Sequence, residues 1–279
     1  MGRKKERPMQ VAPISKMCVN GEGFCPLLLL FNAIGNSVNT VPTLSDTKRR
    51  FYKQHTRPIS SIYRRFLEEM MVEMHLLWVN KTFVYDAVYA LGVVTTFDRF
   101  MEGYQPSQDI EPIFAALCAA TEAQSSRYRT DAEQLLNLCQ GLSVTDLQEA
   151  LEGNGSNAEL TSLFNTIATN KTFKYSRLFG IGLTSLLAQG DEELLHNKDR
   201  LMEILEAFAT GLGLPSDKLK KDVELYLSNL EKMGQARLLM EEMVATERKR
   251  REQREQEKQA KQAMAEEEAA TGSTNQSEG

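Results

Sequence analysis

The chain has 279 residues, 42% of them hydrophobic and 25% charged, with a net charge of −5. That apolar share supports a real core, and the acidic balance argues against a dedicated nucleic-acid binder, which carries a basic surface. No apolar run reaches the ~18–20 residues that span a bilayer; the longest candidate, 24–34, is interrupted by Pro26 and Asn32.

Residues 1–40 differ in character from the rest of the chain. Arg3, Lys4, Lys5 and Arg7 precede the apolar run Phe24-Cys25-Pro26-Leu27-Leu28-Leu29-Leu30-Phe31. Glu22 just before the run and a poor cleavage site weaken a secretory reading, and the segment is not Ser-rich like a transit peptide. It is expected to be a disordered extension, or the product of a start assigned upstream of a true one at Val38. A targeting peptide is the alternative.

The body reads as helix throughout. Ser45 is the expected N-cap of a first helix, with Asp46 in its first turn and Lys48, Arg49 and Arg50 following. Arg57-Pro58 is expected to end it, because the residue before proline is pushed out of the α region, and Pro58 to open the next helix. There Ile59, Ile62, Phe66, Met70, Met74 and Leu77 recur at three- and four-residue spacing as a core stripe. Further helices are expected over 86–101, 110–123, 127–140, 144–151, 159–168, 176–188, 198–211 and from 216 onward. Gly103-Tyr104-Gln105-Pro106, Gly153-Asn154-Gly155-Ser156 and Gly211-Leu212-Gly213-Leu214-Pro215 separate them. No period-2 run with hairpin turns appears, so the fold class is all-α.

One word occurs twice. Asn80-Lys81-Thr82-Phe83-Val84-Tyr85 returns as Asn170-Lys171-Thr172-Phe173-Lys174-Tyr175, and Gly92 and Gly182 follow at the same offset. Either a three- to four-helix unit is duplicated, or two loops with similar demands converged by chance. The glycines would allow another helix to approach closely.

From Leu219 a seam runs through Val223, Tyr226, Leu230, Met233, Met240 and Val244, with Arg237 intruding. Beyond it, 246–261 is charged all round and has no face to bury, so it should project into solvent, held by pairs such as Glu247 with Arg251. Such a run is either a solvated extension or a docking arm led by Arg248, Lys249, Arg250, Arg251 and Arg254. The resulting domain plan is an extension over 1–40, one multi-helix bundle over 41–215, a long coiled-coil-like charged helix over 216–270, and a polar disordered tail over 271–279.

Chemistry is hard to find. His55, His75 and His196 have no metal-ligand spacing, and Val72, three before His75, fails the Glu-x-x-His of a di-iron bundle. No P-loop, dinucleotide fingerprint or nucleophile elbow is present. His75 reads as a helix residue with a local partner. Cys18 and Cys25 lie in the extension, whereas Cys118 and Cys139 read as small buried hydrophobes in a reducing compartment, and no CxxC occurs. Tyr63, Tyr85, Tyr89, Phe97 and Phe100 read as core. Arg57, Arg64, Arg65 and Arg99, with Glu68, Glu69, Glu73 and Asp98, read as structural ion pairs or as a partner-binding basic face.

The block from Ser45 to Phe100 assembles unusual words in order: Ser45-Asp46-Thr47-Lys48-Arg49-Arg50-Phe51-Tyr52, then Thr56-Arg57-Pro58-Ile59, then Ser61-Ile62-Tyr63-Arg64-Arg65-Phe66 and the stretch from Tyr85 to Phe100. It resembles the thylakoid formation protein family of cyanobacteria and chloroplasts, also described as a photosystem II biogenesis factor, over about 41–244. The resemblance implies a non-enzymatic factor without a cofactor, needed for thylakoid membrane biogenesis and photosystem II assembly or repair. It also implies protein partners, an FtsH-type protease and the photosystem II assembly machinery, with peripheral thylakoid contact on the cytoplasmic side, or the stromal side in a chloroplast. The candidate partner-binding residues are Arg57, Arg64, Arg65, Arg248, Lys249, Arg250 and Arg251. The alternative function is a pigment- or small-molecule-binding bundle with a cavity near 85–100.

Overall fold

The computed structural model describes residues 41–274, with side chains to residue 262 apart from Glu192. The expectations for 1–40, including Cys18 and Cys25, and for 275–279 lie outside the described residues. Among the described residues ten α-helices occur in order: α1 (Leu44–Gln54), α2 (Ser61–Trp78), α3 (Ala87–Met101), α4 (Ile110–Ala120), α5 (Ser125–Leu138), α6 (Val144–Leu151), α7 (Ala158–Thr169), α8 (Arg177–Gly190), α9 (Lys198–Leu212) and α10 (Ser216–Thr274). No strand occurs among the described residues. α10 runs on to Thr274, so the start of the expected tail, 271–274, is helical.

Local chemistry explains the ends, and corrects two of them. The N-cap of α1 is Thr43, not Ser45: the Thr43 hydroxyl accepts from the Asp46 N–H at 3.3 Å, and the Asp46 carboxylate accepts from the Thr43 N–H at 3.0 Å. This reciprocal box satisfies two helix-start donors at once, which an isolated Ser45 could not do. α6 opens the same way on Ser143 and Asp146. The break between α1 and α2 is present, but Arg57-Pro58 makes neither boundary. α1 stops at Gln54 because His55, whose N–H makes the last helical bond to the Phe51 carbonyl, turns to an extended backbone (φ −110°, ψ 101°), and α2 starts only after Ser60. Pro58 lies in the connector.

The stripe of α2 is also rotated from the expected one. Tyr63, Leu67, Met70, Met71, Met74, His75 and Leu77 are buried, whereas Ile62 and Phe66 are half-buried and Ile59 precedes the helix. α2 is covered on two flanks: His75 Nδ1 bonds the Thr47 hydroxyl of α1 at 2.8 Å, and Phe66 stacks on Phe100 of α3 at 4.5 Å. The partner of His75 is thus distant in sequence.

At the centre, α3 and α8 make the most extensive contact of any two elements. Their backbones touch. A Cβ on Gly92 would sit 1.7 Å from the Leu178 carbonyl oxygen, and one on Gly182 would sit 1.9 Å from that of Val88. Only glycine fits such a crossing.

The repeated word belongs to a larger repeat. In each copy the asparagine side chain caps the loop, Asn80 and Asn170 accepting from the N–H groups of Thr82 and Thr172 at 3.1 and 3.0 Å. Tyr85 donates to Asp131 of α5, 46 residues on, and Tyr175 donates to Asp222 of α10, 47 residues on. Arg127 lies over the Tyr85 ring and Lys218 over the Tyr175 ring. Phe83 meets Tyr89 edge-on at 5.0 Å, as Phe173 meets Phe179. α1 and α6 share their capping box, α1 packs on α2 and α4 as α6 packs on α7 and α9, and α5 lies on α3 as α10 lies on α8. The structure therefore decides for duplication, with a unit of five helices: α1–α5 matches α6–α10.

The match ends where α10 overruns. α5 stops after 14 residues and α10 continues for 59. Leu219, Val223 and Tyr226 are buried and Leu230 and Met233 half-buried, so the bundle's core extends into α10 past residue 215. Cys118 and Cys139 are buried as expected, and burial pushes both thiols up to about 12.

A methyl group added at either crossing glycine has nowhere to go. Gly92→Ala and Gly182→Ala must force α3 and α8 apart, each destabilising by about 1–3 kcal/mol or more, read as a lower urea midpoint at an unchanged slope. Unchanged midpoints for both would show that the backbones do not meet there.

Burial holds the imidazoles of His55 and His75 below their ordinary 6.5. Between the lowered values and 6.5 the unfolded chain binds more protons, so this stability is present above 6.5 and is lost as pH falls through that range. The Asp86 carboxyl, raised to about 6 by burial, acts oppositely there. The histidine share is therefore read as a difference: from about pH 7.5 to 5.5 the wild type should lose more stability than His75→Asn. Parallel losses would exclude His75 as a contributor.

Candidate functional site

The expected basic face does not assemble as one site. Arg57, in the α1–α2 connector, pairs with Asp109, whose side chain is 6% exposed, so it anchors the start of α4 to that connector. Arg65 bonds Glu69 at 3.2 Å one turn on, and Glu68 is taken by Lys48 at 2.8 Å and the Tyr52 hydroxyl at 3.0 Å. Glu73 accepts from Arg177 at 2.7 Å and from the Leu178 N–H at 3.1 Å, placing a carboxylate on the N-terminus of α8. Asp98 pairs with Arg129 at 2.6 Å. Arg64 is exposed, with no ion pair among the described residues. Arg57 and Arg65 each make an ion pair, and across the whole set of charges the partners come largely from other helices.

The second cluster lies on α10. Arg237 is the last residue held by the bundle: its guanidinium donates to the Glu102 carbonyl at 3.1 Å, and its Cδ packs against Gly103. Every described side chain from 238 to 262 is exposed. The seam loses its partner at this point, so Met240 and Val244 stand in solvent with Leu238, Leu239 and Met243, which are 61%, 59% and 65% exposed. Three- and four-residue spacings join Leu239, Met240, Met243 and Val244 into a stripe. Four residues later come Arg248, Lys249, Arg250 and Arg251, where Arg248 pairs with Glu252 at 3.0 Å rather than Glu247 with Arg251. Arg248 lies 12 residues, about 18 Å, beyond Ala236, so the arm's cluster is remote from Arg64 and Arg65.

Two cavities flank α3. One, of about 620 Å³, is lined by Trp78, Tyr85, Tyr89, Arg127 and Tyr128. Desolvation raises the phenol of Tyr128 to about 12, and Tyr89 is raised well above its usual range. The other, of about 440 Å³, lies between α2, α3, α8 and α10, with Phe66 and Phe100 on its wall and Arg65 and Lys232 at its rim. Sequence reasoning found Phe66, Phe100 and Arg65 but missed Thr96, Arg177 and Lys232. These come from separate helices and carry no shared spacing.

Among the described residues no group of three or more His, Cys, Asp or Glu is placed to hold a metal. Both buried thiols are raised, which leaves little thiolate to act as a nucleophile. No described helix is long and apolar enough to cross a membrane. Among the features the described surface presents to a partner are the arm, with its apolar stripe and basic cluster, the two cavities that flank α3, and a shallower one of about 400 Å³ lined by Lys48, Arg64 and Arg65.

Comparison with known proteins supplies the context. The thylakoid formation protein family model matches residues 43–255, which takes in the arm's apolar stripe and its basic cluster. Protein Thf1 of Nostoc punctiforme is 54% identical over 217 residues, covering 77% of this chain and 92% of its own. Protein Thf1 of Crocosphaera subtropica is 49% identical over 214 residues, covering 77% and 88%. A solved structure of Psb29 superposes with a TM-score of 0.67 at 48% identity, covering 75% of this chain and 98% of its own. The all-helical architecture, the Ser45–Phe100 block and these matches agree: the chain belongs to the thylakoid formation protein family.

Proposed function

We propose that this protein is a non-enzymatic docking factor for thylakoid membrane biogenesis and for the assembly and repair of photosystem II, acting through an FtsH-type protease. It works at the periphery of the thylakoid membrane, on the cytoplasmic side in a cyanobacterium or the stromal side in a chloroplast. The family and the names of the relatives support the setting.

One observation carries the docking role. A continuous helix leaves a well-packed bundle at Arg237 and bares an apolar stripe followed by four consecutive cations, all within the family match. Exposed apolar side chains grouped in this way mark interaction sites, and the adjacent basic cluster steers an acidic partner surface. Several buried or half-buried polar groups, by contrast, are spent on structure: His75 on Thr47, Asp109 on Arg57, Tyr85 on Asp131 and Tyr175 on Asp222.

Truncation after Arg237 removes no buried side chain among those described, so the melting temperature and the helicity of the remaining residues should be kept. The same truncation should abolish capture of the protease from solubilised thylakoids and slow photosystem II recovery after strong light. Charge reversal at Arg248, Lys249, Arg250 and Arg251 should reproduce the loss, and the wild-type association should weaken with added salt. Undiminished capture and recovery after truncation would refute the arm as the docking element and return the search to Arg64 and the first two helices.

A further inference from the structure

Past the exposed apolar stripe, the seam of α10 does not end; it changes chemistry. The alternation of four- and three-residue steps through Met240 and Val244 continues unbroken through Glu247, Arg251, Arg254, Lys258 and Lys261. On a continuous helix that spacing stacks all of them along the side that bears the stripe, with Met243 next to the line. Of the six glutamates between 238 and 262, only Glu247 falls in the line; the other five lie off it. Lys249 lies on the opposite side of the helix. Arg251, Arg254 and Lys258 are exposed and form no ion pair among the described residues.

This line of side chains suits a membrane surface better than a second helix. In a coiled coil the seam positions enter holes on the partner, so four cations would have to be desolvated there. The exposed apolar part covers about one heptad, whereas a coiled-coil seam needs about three or four. A bilayer makes no such demand. The apolar turn enters the acyl boundary, while the long stems of Lys and Arg leave their charges among hydrated headgroups. Charge also selects the arm over the bundle: in a chain of net charge −5, residues 246–262 carry seven cations and four carboxylates.

We propose that this face of the arm lies on an anionic lipid bilayer, along about 32 Å of helix from Met240 to Lys261. Met240, Met243 and Val244 enter the acyl boundary, and Arg251, Arg254, Lys258 and Lys261 meet the anionic headgroups. This rests on the arm being the docking element and names the surface it meets. The opposite side, with Lys249, Glu242 and Glu252, stays turned to water and open to a protein.

The test is flotation of the full chain with vesicles of phosphatidylcholine alone, or of phosphatidylcholine containing phosphatidylglycerol. The chain should float with the anionic vesicles and not with the neutral ones, and added salt should release it. Arg251→Glu with Arg254→Glu should weaken the association about tenfold or more. Arg248→Glu with Lys249→Glu makes the same change of charge off the line and should leave it within about twofold. Met243→Asp should weaken it about tenfold, and truncation after Arg237 should abolish it. All these substitutions fall on exposed positions, so each variant should keep the wild-type melting temperature. Absence of flotation, equal flotation with both vesicles, or survival of flotation after the truncation would overturn the proposal. Equal losses for the two reversal pairs would overturn it too, because they mark a charge effect without a face. No flotation alongside arm-dependent capture of the protease would keep the docking reading and assign the cation line to an acidic protein. Flotation without such capture would keep the bilayer and remove the protease.

Discussion

Two glycines, ninety residues apart, set the distance between the two central helices, and the rest of the bundle is arranged around that distance. With Gly92 against Leu178 and Gly182 against Val88, the helices cross with backbone in contact, too close for any side chain to intervene. Everything outward inherits the spacing. Phe97 and Leu91 of one helix, and Phe179 and Leu183 of the other, are then buried by the helices packed outside. A crossing this tight gains dispersion contacts along its whole length. It also tolerates no thickening, because protein interiors are already close-packed.

Around that crossing the charged and polar groups fasten one half to the other and close the ends of the helices. The carboxylate of Glu73, from the first half, receives the Arg177 guanidinium and the Leu178 N–H at the start of α8, from the second. Tyr85 with Asp131 and Tyr175 with Asp222 each tie a loop to the outermost helix of its own half. Part-buried bonds of this kind add little net stability each, yet leaving one partner unsatisfied costs far more. They specify which helix lies where, while the apolar core supplies the driving force.

Helices were legible wherever the chain carries its own punctuation. Val144–Leu151 matches its expected bounds, since Ser143 starts it and Gly153 follows its end. The N-cap of α1 was misplaced because Thr43 and Ser45 are both good capping residues, and only the reciprocal bond with Asp46 separates them. The phase of α2 was misjudged because apolar residues surround most of its circumference, so spacing alone could not say which neighbour would bury which side. Of the candidate site, the cations of the arm were legible from composition, because a helix charged on all faces has nothing to pack. The fate of Arg57 was not, since Asp109 lies 52 residues away, and neither was the cavity, whose walls come from four helices. The repeated asparagine word left duplication and chance convergence both open, and gave no sign of a five-helix unit. The remaining equivalences lie in contacts, not in letters.

The exit of α10 has a mechanical consequence. One turn before the Arg237 clamp stands Gly234, with open space where a side chain would be, in a stretch rich in strong helix formers (Leu, Glu, Lys, Met, Gln, Ala, Arg). Glycine is the weakest link of such a helix, about 1 kcal/mol poorer than alanine, and bending concentrates at such a point. From there to Thr274 is 40 residues, about 60 Å of rod, so a bend of about 10° sweeps its far end through about 10 Å. The clamp on Glu102 and Gly103 acts as the latch of this pivot: while it is closed the rod has a fixed bearing, and once it is released each bend of about 10° carries the far end across roughly one helix diameter.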